Sequence, residues 1–415
     1  MKNSTDQNTN CGPVKPSERL LILDILRGFA IFAILLVNIH FYSRPLFVIF
    51  NLHDKSVSLL DYLVQAGTVL FVSEKFYSIL ALLFGIGMAI IFERTRVKKA
   101  RFGSIYIRRL IGLFIIGITH ALLFYAGDFI GNYAILGFFL IFFKNRKSKT
   151  ILFFSLIILL FPVFKRIHTV LTYQPPNQTV QSTQSPEALA KRSQERVNRL
   201  VQKSVNAYGN GTISQIFKLR LRETRLQYSS LPFMGWKILS MFLLGLWCWK
   251  KGIVKSLEQN LNFIKKVMWI SLIIGGLGCS FSLYNQLIPS RNLYLHILAF
   301  FANQVGAPAL GIFYITGIIL LYYNGIGKKF FSLFSSVGRM AMSNYIFQSL
   351  IFTTVFYSYG LGLYYKTGYT LNLLFVVLIF PLQVILSNLW LKKFKYGPLE
   401  WVLRYFVYLK KPAMK

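Results

Sequence analysis

The first long apolar run of the chain, residues 20–42, contains polar side chains whose spacing could hold an anionic group. Asp24 and Arg27 are three residues apart, so they lie on one face of a helix and can form an ion pair. Asn38 follows eleven residues after Arg27, three turns further along and near the same face. An ionisable residue within an apolar helix is costly and therefore marks a candidate functional site. We expect Asp24, Arg27 and Asn38 to bind substrate, with an ion pair that only fixes helix packing as the alternative.

A second pair of residues suited to acid–base chemistry is His120 and Asp128, at the junction of two later apolar runs. Eight residues of helix rise about 12 Å, so a contact requires the chain to turn back at Gly127. Gly127 and Gly131 make that turn feasible. Asp128 would then hold one imidazole nitrogen and leave the other available for proton transfer. We expect His120 to be the catalytic base and Asp128 to orient it or contact the acceptor; a packing histidine and a helix-capping aspartate are the alternatives.

A polar stripe is predicted in the apolar run 337–359. Arg339 and Asn344 share one helix face there, and Gln348 continues it four residues later. Such a stripe must face protein or water rather than lipid. We therefore expect an internal polar cavity in which Arg339, Asn344 and Gln348 contact substrate.

Other kinds of chemistry lack their sequence signals. The chain has no set of metal ligands, no phosphate-binding glycine loop followed by a lysine, and no nucleophile elbow. Its cysteines, Cys11, Cys248 and Cys279, are too scattered for a disulfide framework or a zinc site. We expect no bound metal or cofactor, and a transfer step without a covalent nucleophile.

The composition indicates a membrane protein. Of the 415 residues, 54% are hydrophobic and only 14% are charged, against about 25% charged in soluble domains. Lys and Arg number 47 and Asp and Glu 13, a net charge of +34, and the positive residues form short clusters between long apolar runs. That distribution is typical of a polytopic protein in a lipid bilayer and not of a nucleic-acid binder.

The apolar runs predict about ten transmembrane helices in an all-α fold. They are residues 20–42, 73–93, 107–126, 129–143, 150–172, 232–249, 267–288, 293–323, 337–359 and 370–391. Because Lys and Arg accumulate on the cytoplasmic side of a membrane, their positions predict that both termini are cytoplasmic. The expected location is the plasma membrane of a bacterium, with several spans.

The apolar runs and the polar segments between them divide the chain into five parts. They are a disordered cytoplasmic tail 1–18, an N-terminal membrane half 19–172, an extracytoplasmic and partly helical loop 173–231, a C-terminal membrane half 232–408, and a basic tail 409–415. Thr212 is a candidate start for a basic helix in the loop. That helix either lies on lipid headgroups or forms a lid that collects an anionic substrate.

Several segments of this sequence, in order, resemble the YeiB-type family, whose C-terminal half is catalogued as domain of unknown function 418. They are LDILRGFAIFAILLVNI, KFYSILALLFGIGMAIIFER, the pair GITHALLF and GDFIGNYAILG, MFLLGLWCWKKGI, VGRMAMSNYIFQSLIF and YGPLEWVLR. The resemblance extends from about residue 19 to residue 408, and only the 173–231 loop lacks matching segments.

That family is in turn similar to transmembrane acyltransferases, among them the type 3 acyltransferases and heparan-alpha-glucosaminide N-acetyltransferase. Those proteins pass an acyl group from acyl-CoA inside to an acceptor, usually a sugar, outside. The type 3 pattern has an Arg in the first span and a His eleven residues later. Here Arg27 matches the Arg but Asn38 occupies the His position, and Asn cannot act as a general base. The heparan enzyme has Asp, Arg-Gly and Asn in the same order as Asp24, Arg27 and Asn38.

The resemblance and the polar residues together lead to three functional hypotheses. The first is an acyltransferase-like protein that moves an acyl group from acyl-CoA, with Arg27 at the anionic end of this donor, to an anionic lipid or envelope glycan. The second is a permease in which the same residues line a path, although clear inverted repeats are lacking. The third is a non-enzymatic envelope factor. Labelled donor and envelope extract would distinguish the first from the other two.

Overall fold

The computed structural model describes residues 19–49, 52, 58–172, 186–288 and 292–415, and within these residues the fold is all-helical. The α-helices, in chain order, are α1 Leu21–Ser43, α2 Leu59–Gly67, α3 Lys75–Val97, α4 Phe102–Leu123, α5 Ile130–Phe139, α6 Ser148–Leu171, α7 Pro186–Ser204, α8 Ile213–Lys250, α9 Leu261–Leu287, α10 Leu293–Tyr323, α11 Lys328–Arg339, α12 Ala341–Phe356, α13 Tyr369–Lys393 and α14 Pro398–Tyr408. The predicted tail 1–18 and the first residues of the predicted loop lie outside the described residues.

Eight helices in the described part of the chain are long and apolar enough to cross a bilayer, which needs about 20 residues. They are Leu21–Ser43, Leu59–Val97, Phe102–Leu123, Ser148–Leu171, Ile213–Lys250, Glu258–Leu287, Leu293–Tyr323 and Tyr369–Lys393. A shorter apolar helix, Ile130–Phe143, corresponds to the short run predicted at 129–143. The fold is therefore that of a polytopic α-helical membrane protein, as the composition predicted.

The prediction of one continuous helix over 337–359 is wrong. α11 ends at Arg339, Met340 adopts a non-helical φ of −116° and ψ of 32°, and α12 spans only 16 residues. The sequence gives little sign of this break, because no proline lies near Met340 and Gly338 is the only flexible residue beside it. Arg339 consequently lies on a different helix from Asn344, and the predicted stripe is interrupted.

The predicted helix start at Thr212 is confirmed, but the helix does not remain within the loop. The Thr212 side chain and Gln215 form a reciprocal capping box at the start of α8. α8 then continues without interruption through Pro232 to Lys250. The predicted boundary at residues 231 and 232 therefore falls inside one long helix that extends a membrane span into the loop.

α1 lies at the centre of the bundle, in contact with α3, α11, α12 and α13. Glycines permit the closest of these approaches. A Cβ atom on Gly28 would lie 1.9 Å from the Phe334 carbonyl oxygen, and one on Gly338 would lie 1.8 Å from the Asp24 carbonyl oxygen. Small residues at such a crossing allow two helices in lipid to pack backbone against backbone.

Candidate functional site

The predicted contact between His120 and Asp128 is present. α4 ends three residues after His120, and the chain turns back before α5 begins at Ile130. His120 Nδ1 lies 2.9 Å from Asp128 Oδ1, and both side chains are completely buried. Because a carboxylate can only accept a hydrogen bond, Nδ1 is the donor in this contact, and in a neutral imidazole Nε2 is then the acceptor.

The second oxygen of Asp128 fixes the carboxylate in place. Asp128 Oδ2 accepts a hydrogen bond of 2.7 Å from the backbone N–H of Gly131, in the first turn of α5. A Cβ atom on Gly117 would lie 2.2 Å from that same nitrogen and 2.6 Å from Oδ2. Gly117 therefore has to lack a side chain for the start of α5 to approach α4 and orient Asp128.

Ser349 completes a chain of hydrogen bonds that the sequence interpretation missed. Its Oγ atom lies 2.8 Å from His120 Nε2, although the two residues are 229 positions apart. A longer contact of 3.2 Å joins the same hydroxyl to the carbonyl of Tyr345 on the preceding turn of α12. The shorter distance favours donation from Ser349 to the imidazole, which gives the order serine, histidine, aspartate found in acyl-transferring sites.

Two tyrosines complete the immediate surroundings of Ser349 and His120. The Tyr42 hydroxyl, near the end of α1, donates a hydrogen bond of 2.6 Å to Ser349 Oγ. The Tyr345 ring lies 4.9 Å from the His120 ring, centroid to centroid. We call the group of Asp128, His120 and Ser349 the buried triad. Its members come from the turn before α5, from α4 and from α12, and the triad contacts α1 through Tyr42.

The turn between α7 and α8 lies against an aromatic layer that continues outward from the buried triad. The Tyr42 ring is 4.7 Å from Tyr125 and 6.5 Å from Tyr357, and Tyr357 stacks on Tyr208 at 4.6 Å. Tyr208 belongs to the turn that precedes α8, and its carbonyl accepts a hydrogen bond of 2.8 Å from the Ser358 N–H. The predicted loop therefore packs directly on this end of the bundle.

α8 also holds the end of α4, the helix that carries His120. The buried Arg220 donates from one guanidinium nitrogen to the carbonyl oxygens of Leu122 and Leu123, at the C-terminus of α4. Its guanidinium lies 5.5 Å from the Tyr357 ring centre. A cation at a helix C-terminus satisfies carbonyl groups that the helix itself leaves unpaired.

A basic cavity of about 600 Å³ lies between the end of α7 and the start of α8. Its cationic lining residues are Arg199, Lys203, Lys218 and Arg222. The described lining contains no acidic side chain, so the cavity has a positive field that would attract an anionic group.

The ion pair predicted in the first run is present and is shared with a third residue. Asp24 accepts from Arg27 Nη1 at 2.8 Å and from Arg19 Nε at 2.5 Å. Asp24 is buried, whereas the Arg27 side chain is 30% exposed. Fifteen residues separate Arg27 from Tyr42, so about 22 Å of α1 lies between this ion pair and the buried triad.

Further arginines lie near this ion pair, and the sequence interpretation missed two of them, Arg109 and Arg404. Arg339, at the end of α11, is attracted by Asp24 and repelled by Arg19. Arg109 of α4 is close enough to Arg27 and Arg404 to be repelled by both. Nε of Arg109 and Nε of Arg339 are buried without a hydrogen-bond partner. A buried donor without a partner is uncommon, and an incoming anion is one way to satisfy it.

Asn344 and Gln348 belong to a closed cluster of amides between α12 and α13. The Gln348 side chain donates to Gln383 at 2.9 Å, and Asn344 donates to Ser387 at the same distance. All four side chains are buried. Asn38 of α1 is buried as well. The structure thus does not bring the predicted polar residues together at one place: Asp24, Arg27 and Arg339 lie at one end of α1, and the amide cluster joins two other helices.

The missed residues left weak signals in the sequence. Ser349 directly follows Gln348 but lies on a neighbouring face of α12, and a serine within an apolar helix commonly bonds only its own backbone. Tyr42 lies four residues after Asn38 on α1. Neither spacing relates these residues to His120, because the contacts depend on how α12 and α1 pack.

Comparisons with known proteins place the chain in a family. A family model described as "Protein of unknown function (DUF418)" matches residues 248–410. The chain is 31% identical over 412 residues to "Uncharacterized protein YxaH" of Bacillus subtilis, covering 96% of each chain. It is 26% identical over 395 residues to "Uncharacterized protein YeiB" of Escherichia coli, covering 93% of this chain and 96% of that protein. The chain belongs to the YeiB-type DUF418 family.

This membership and the apolar helices identify a bacterial membrane protein with several spans. The matched region 248–410 contains Ser349 but neither His120 nor Asp128. The matches to the two relatives cover 96% and 93% of this chain and so extend well beyond the region 248–410 that contains Ser349. No solved structure matches the chain.

Proposed function

We propose that this protein is a membrane acyltransferase that moves an acyl group from a cytoplasmic donor of the acyl-coenzyme A class to a hydroxyl group of an envelope glycan or lipid. The observation that carries this proposal is the buried chain of hydrogen bonds from Ser349 through His120 to Asp128. A neutral imidazole that is held by a carboxylate on one side can take a proton from a hydroxyl on the other. The His120 side chain is fully buried, at 0% exposure. Its burial strengthens these electrostatic interactions and excludes water, which would otherwise hydrolyse the donor.

The arginines around Asp24 are suited to the anionic part of such a donor. Arg27 is part-exposed, and Nε of Arg109 and of Arg339 is buried without a partner. Guanidinium groups bind phosphate oxygens in paired hydrogen bonds. Because about 22 Å of α1 separates this end from the buried triad, the donor must carry its acyl group on a long arm. Acyl-coenzyme A has phosphates at one end and the thioester at the other.

The acceptor would approach from the opposite end of α1, beneath the turn between α7 and α8. Tyr208 and Tyr357 stack there above Tyr42, so this turn must move before an acceptor can reach Ser349. The basic cavity beside the turn favours acceptors with a negative charge, such as phosphate-bearing glycans or lipids. The turn then acts as a lid. Of the two alternatives stated for the loop, a helix on lipid headgroups or a lid, this proposal adopts the lid.

Transfer of a labelled acyl group by the purified protein tests this proposal. Wild-type protein in detergent is incubated with radiolabelled acetyl-coenzyme A and envelope extract, and both labelled product and released thiol are measured. His120→Gln removes the base while keeping a side chain of similar reach, and it should lower the rate by about 10²- to 10⁴-fold. His296→Gln, the same change at a half-buried histidine on α10, is the matched control and should retain the wild-type rate.

The result also separates transfer from the competing function. A permease would release no thiol from the donor, whether or not His120 is present. Wild-type protein that transfers no label to any fraction of the envelope, with several chain lengths of donor, would refute the acyltransferase proposal.

A further inference from the structure

The hydroxyl of Ser349 is placed as a nucleophile rather than as a packing group. It lies 2.8 Å from His120 Nε2, which is the acceptor nitrogen of a neutral imidazole whose Nδ1–H donates to Asp128. A serine in a helix normally returns its proton to the carbonyl four residues earlier, but here that contact, to Tyr345, is the longer one at 3.2 Å. The proton of Ser349 therefore points toward a base.

We infer that Ser349 carries the acyl group as a covalent ester during the reaction, an inference that rests on the proposed acyl transfer. In the first half, Ser349 Oγ bonds to the thioester carbonyl carbon and its proton passes to His120 Nε2. The carbon–sulfur bond breaks, and the leaving thiolate takes the proton from His120. In the second half, the acceptor oxygen bonds to the ester carbonyl carbon while its proton passes to His120 Nε2. The bond between that carbon and Ser349 Oγ then breaks, and Oγ takes the proton back from His120, which regenerates the serine and the neutral imidazole.

The surroundings of Ser349 supply the other requirements of such a step. Asp128 faces the imidazole and stabilises the positive charge that His120 acquires in each half. The Tyr42 hydroxyl, 2.6 Å from Ser349 Oγ, is a hydrogen-bond donor beside the position where negative charge develops on the carbonyl oxygen. An acyl-serine also allows the donor to leave before the acceptor enters from the other end of α1.

Covalent trapping tests this inference directly. The full chain, purified in detergent, is treated with an alkyl fluorophosphonate and the modified residue is identified by peptide mass spectrometry. We expect modification at Ser349, slowed roughly 100-fold or more in His120→Gln because the base is gone. Ser387→Ala, which removes a buried serine on α13 whose hydroxyl pairs with the Asn344 amide, should react like the wild type. Absence of any adduct on Ser349 would contradict the inference.

A second measurement separates this inference from the proposed function. Wild-type protein with labelled acetyl-coenzyme A and no acceptor should retain one acetyl group per chain on Ser349, and Ser349→Ala should retain none. Ser349→Cys keeps a nucleophile of similar size and should form a thioester that hydroxylamine cleaves. If folded Ser349→Ala still transfers label to the envelope at the wild-type rate, the acyl-serine is wrong and the acyltransferase stands. If Ser349 reacts with the fluorophosphonate but no donor is consumed, the acyltransferase is wrong and the nucleophile stands.

Discussion

At the scale of single residues, the orientation of one imidazole decides what this protein can do. His120 can accept the proton of Ser349 only while its own proton remains on Nδ1, and Asp128 Oδ1 at 2.9 Å holds it there. Asp128 in turn is fixed by the Gly131 N–H through its other oxygen. In the proposed reaction Asp128 therefore acts through His120, as a positioning residue.

Substitution of Asp128 by Asn should abolish most of the activity and leave the fold intact. The amide has the same shape, but its N–H₂ group would donate to His120 Nδ1 and shift the imidazole proton to Nε2, where it blocks acceptance from Ser349. The corresponding change in serine proteases lowers kcat by about 10⁴-fold. We expect a loss of about 10³-fold or more in kcat with an almost unchanged thermal unfolding midpoint. Retention of activity within tenfold would show that Asp128 does not set the tautomer.

The sequence predicted two of the three triad residues for a physical reason. His120 and Asp128 are eight residues apart, and Gly127 and Gly131 between and beside them allow the turn, so a local pattern contains the contact. Ser349 lies 229 residues away, and only helix packing brings it to His120. The same limit applies to the ion pair: the contact of Asp24 with Arg27, three residues on, was predictable, while the approach of Arg109 to Arg27 depended on the tertiary fold.

Substitution of Arg27 by Ala should weaken use of the donor more than it weakens folding. Asp24 keeps its hydrogen bonds to Arg19, so the change leaves no unpaired carboxylate in the bundle. Loss of one charged hydrogen bond to a phosphate is worth about 1.5–3 kcal/mol, which corresponds to roughly 10- to 100-fold in kcat/KM for the donor. The lower kcat/KM should result mainly from a higher KM for the donor, with kcat little changed. Arg146→Ala, at an exposed arginine between α5 and α6, is the matched control. An unchanged KM in folded Arg27→Ala would place the phosphates elsewhere.

At the scale of the helices, the triad depends on two short helices, each with fewer than the roughly 20 residues that a helix needs to cross a bilayer. α5 and its 3₁₀ continuation end at Phe143 and give a helix of Ile130–Phe143, and α12 has 16 residues. Asp128 precedes the first of these helices and Ser349 lies on the second. Polar groups at membrane depth are tolerated when surrounded by other helices. Short helices that pack against longer ones can thus bring polar side chains together inside the bundle.

The N-terminus of α12 is held by a side chain from α14. The Glu400 carboxylate accepts from the backbone N–H groups of Met342 and Ser343, at 2.7 and 3.2 Å, and also from the Ser343 hydroxyl. These N–H groups lack partners within α12, so Glu400 acts as a cap supplied by a distant segment. The segment YGPLEW at 396–401 thus stabilises the helix that positions Ser349.

Removal of this cap should therefore destabilise the protein measurably. Glu400→Ala leaves two backbone donors unpaired and is expected to cost about 1–2 kcal/mol, seen as a lower midpoint of thermal unfolding in detergent. Glu93→Ala provides the comparison, because the Glu93 carboxylate and its partner Lys255 are each 40% exposed. An exposed pair contributes about 0–1 kcal/mol. Equal midpoints for the two variants would mean that α12 does not depend on Glu400.

At the scale of the whole molecule, the two ends of α1 have different chemistry. One end has Asp24 among several arginines, and the other has the buried triad under the turn between α7 and α8. The basic clusters in the sequence predict that the arginine end faces the cytoplasm. With this orientation, the donor of the proposed reaction binds from the cytoplasm and the acceptor from outside the cell. A test of the topology is therefore also a test of the proposed function.

Labelling of single cysteines from outside the cell tests the predicted orientation. In a chain whose native cysteines are replaced, a cysteine at position 200, in α7, should react with a membrane-impermeant maleimide in intact cells. A cysteine at position 147 should react only after the cells are permeabilised, because the 24-residue helix α6 lies between the two positions and is long enough to cross the bilayer. The reverse pattern would place Arg27 outside. Since acyl-coenzyme A is confined to the cytoplasm, its phosphates could then not reach these arginines, and the donor would have to be sought among anionic compounds of the envelope.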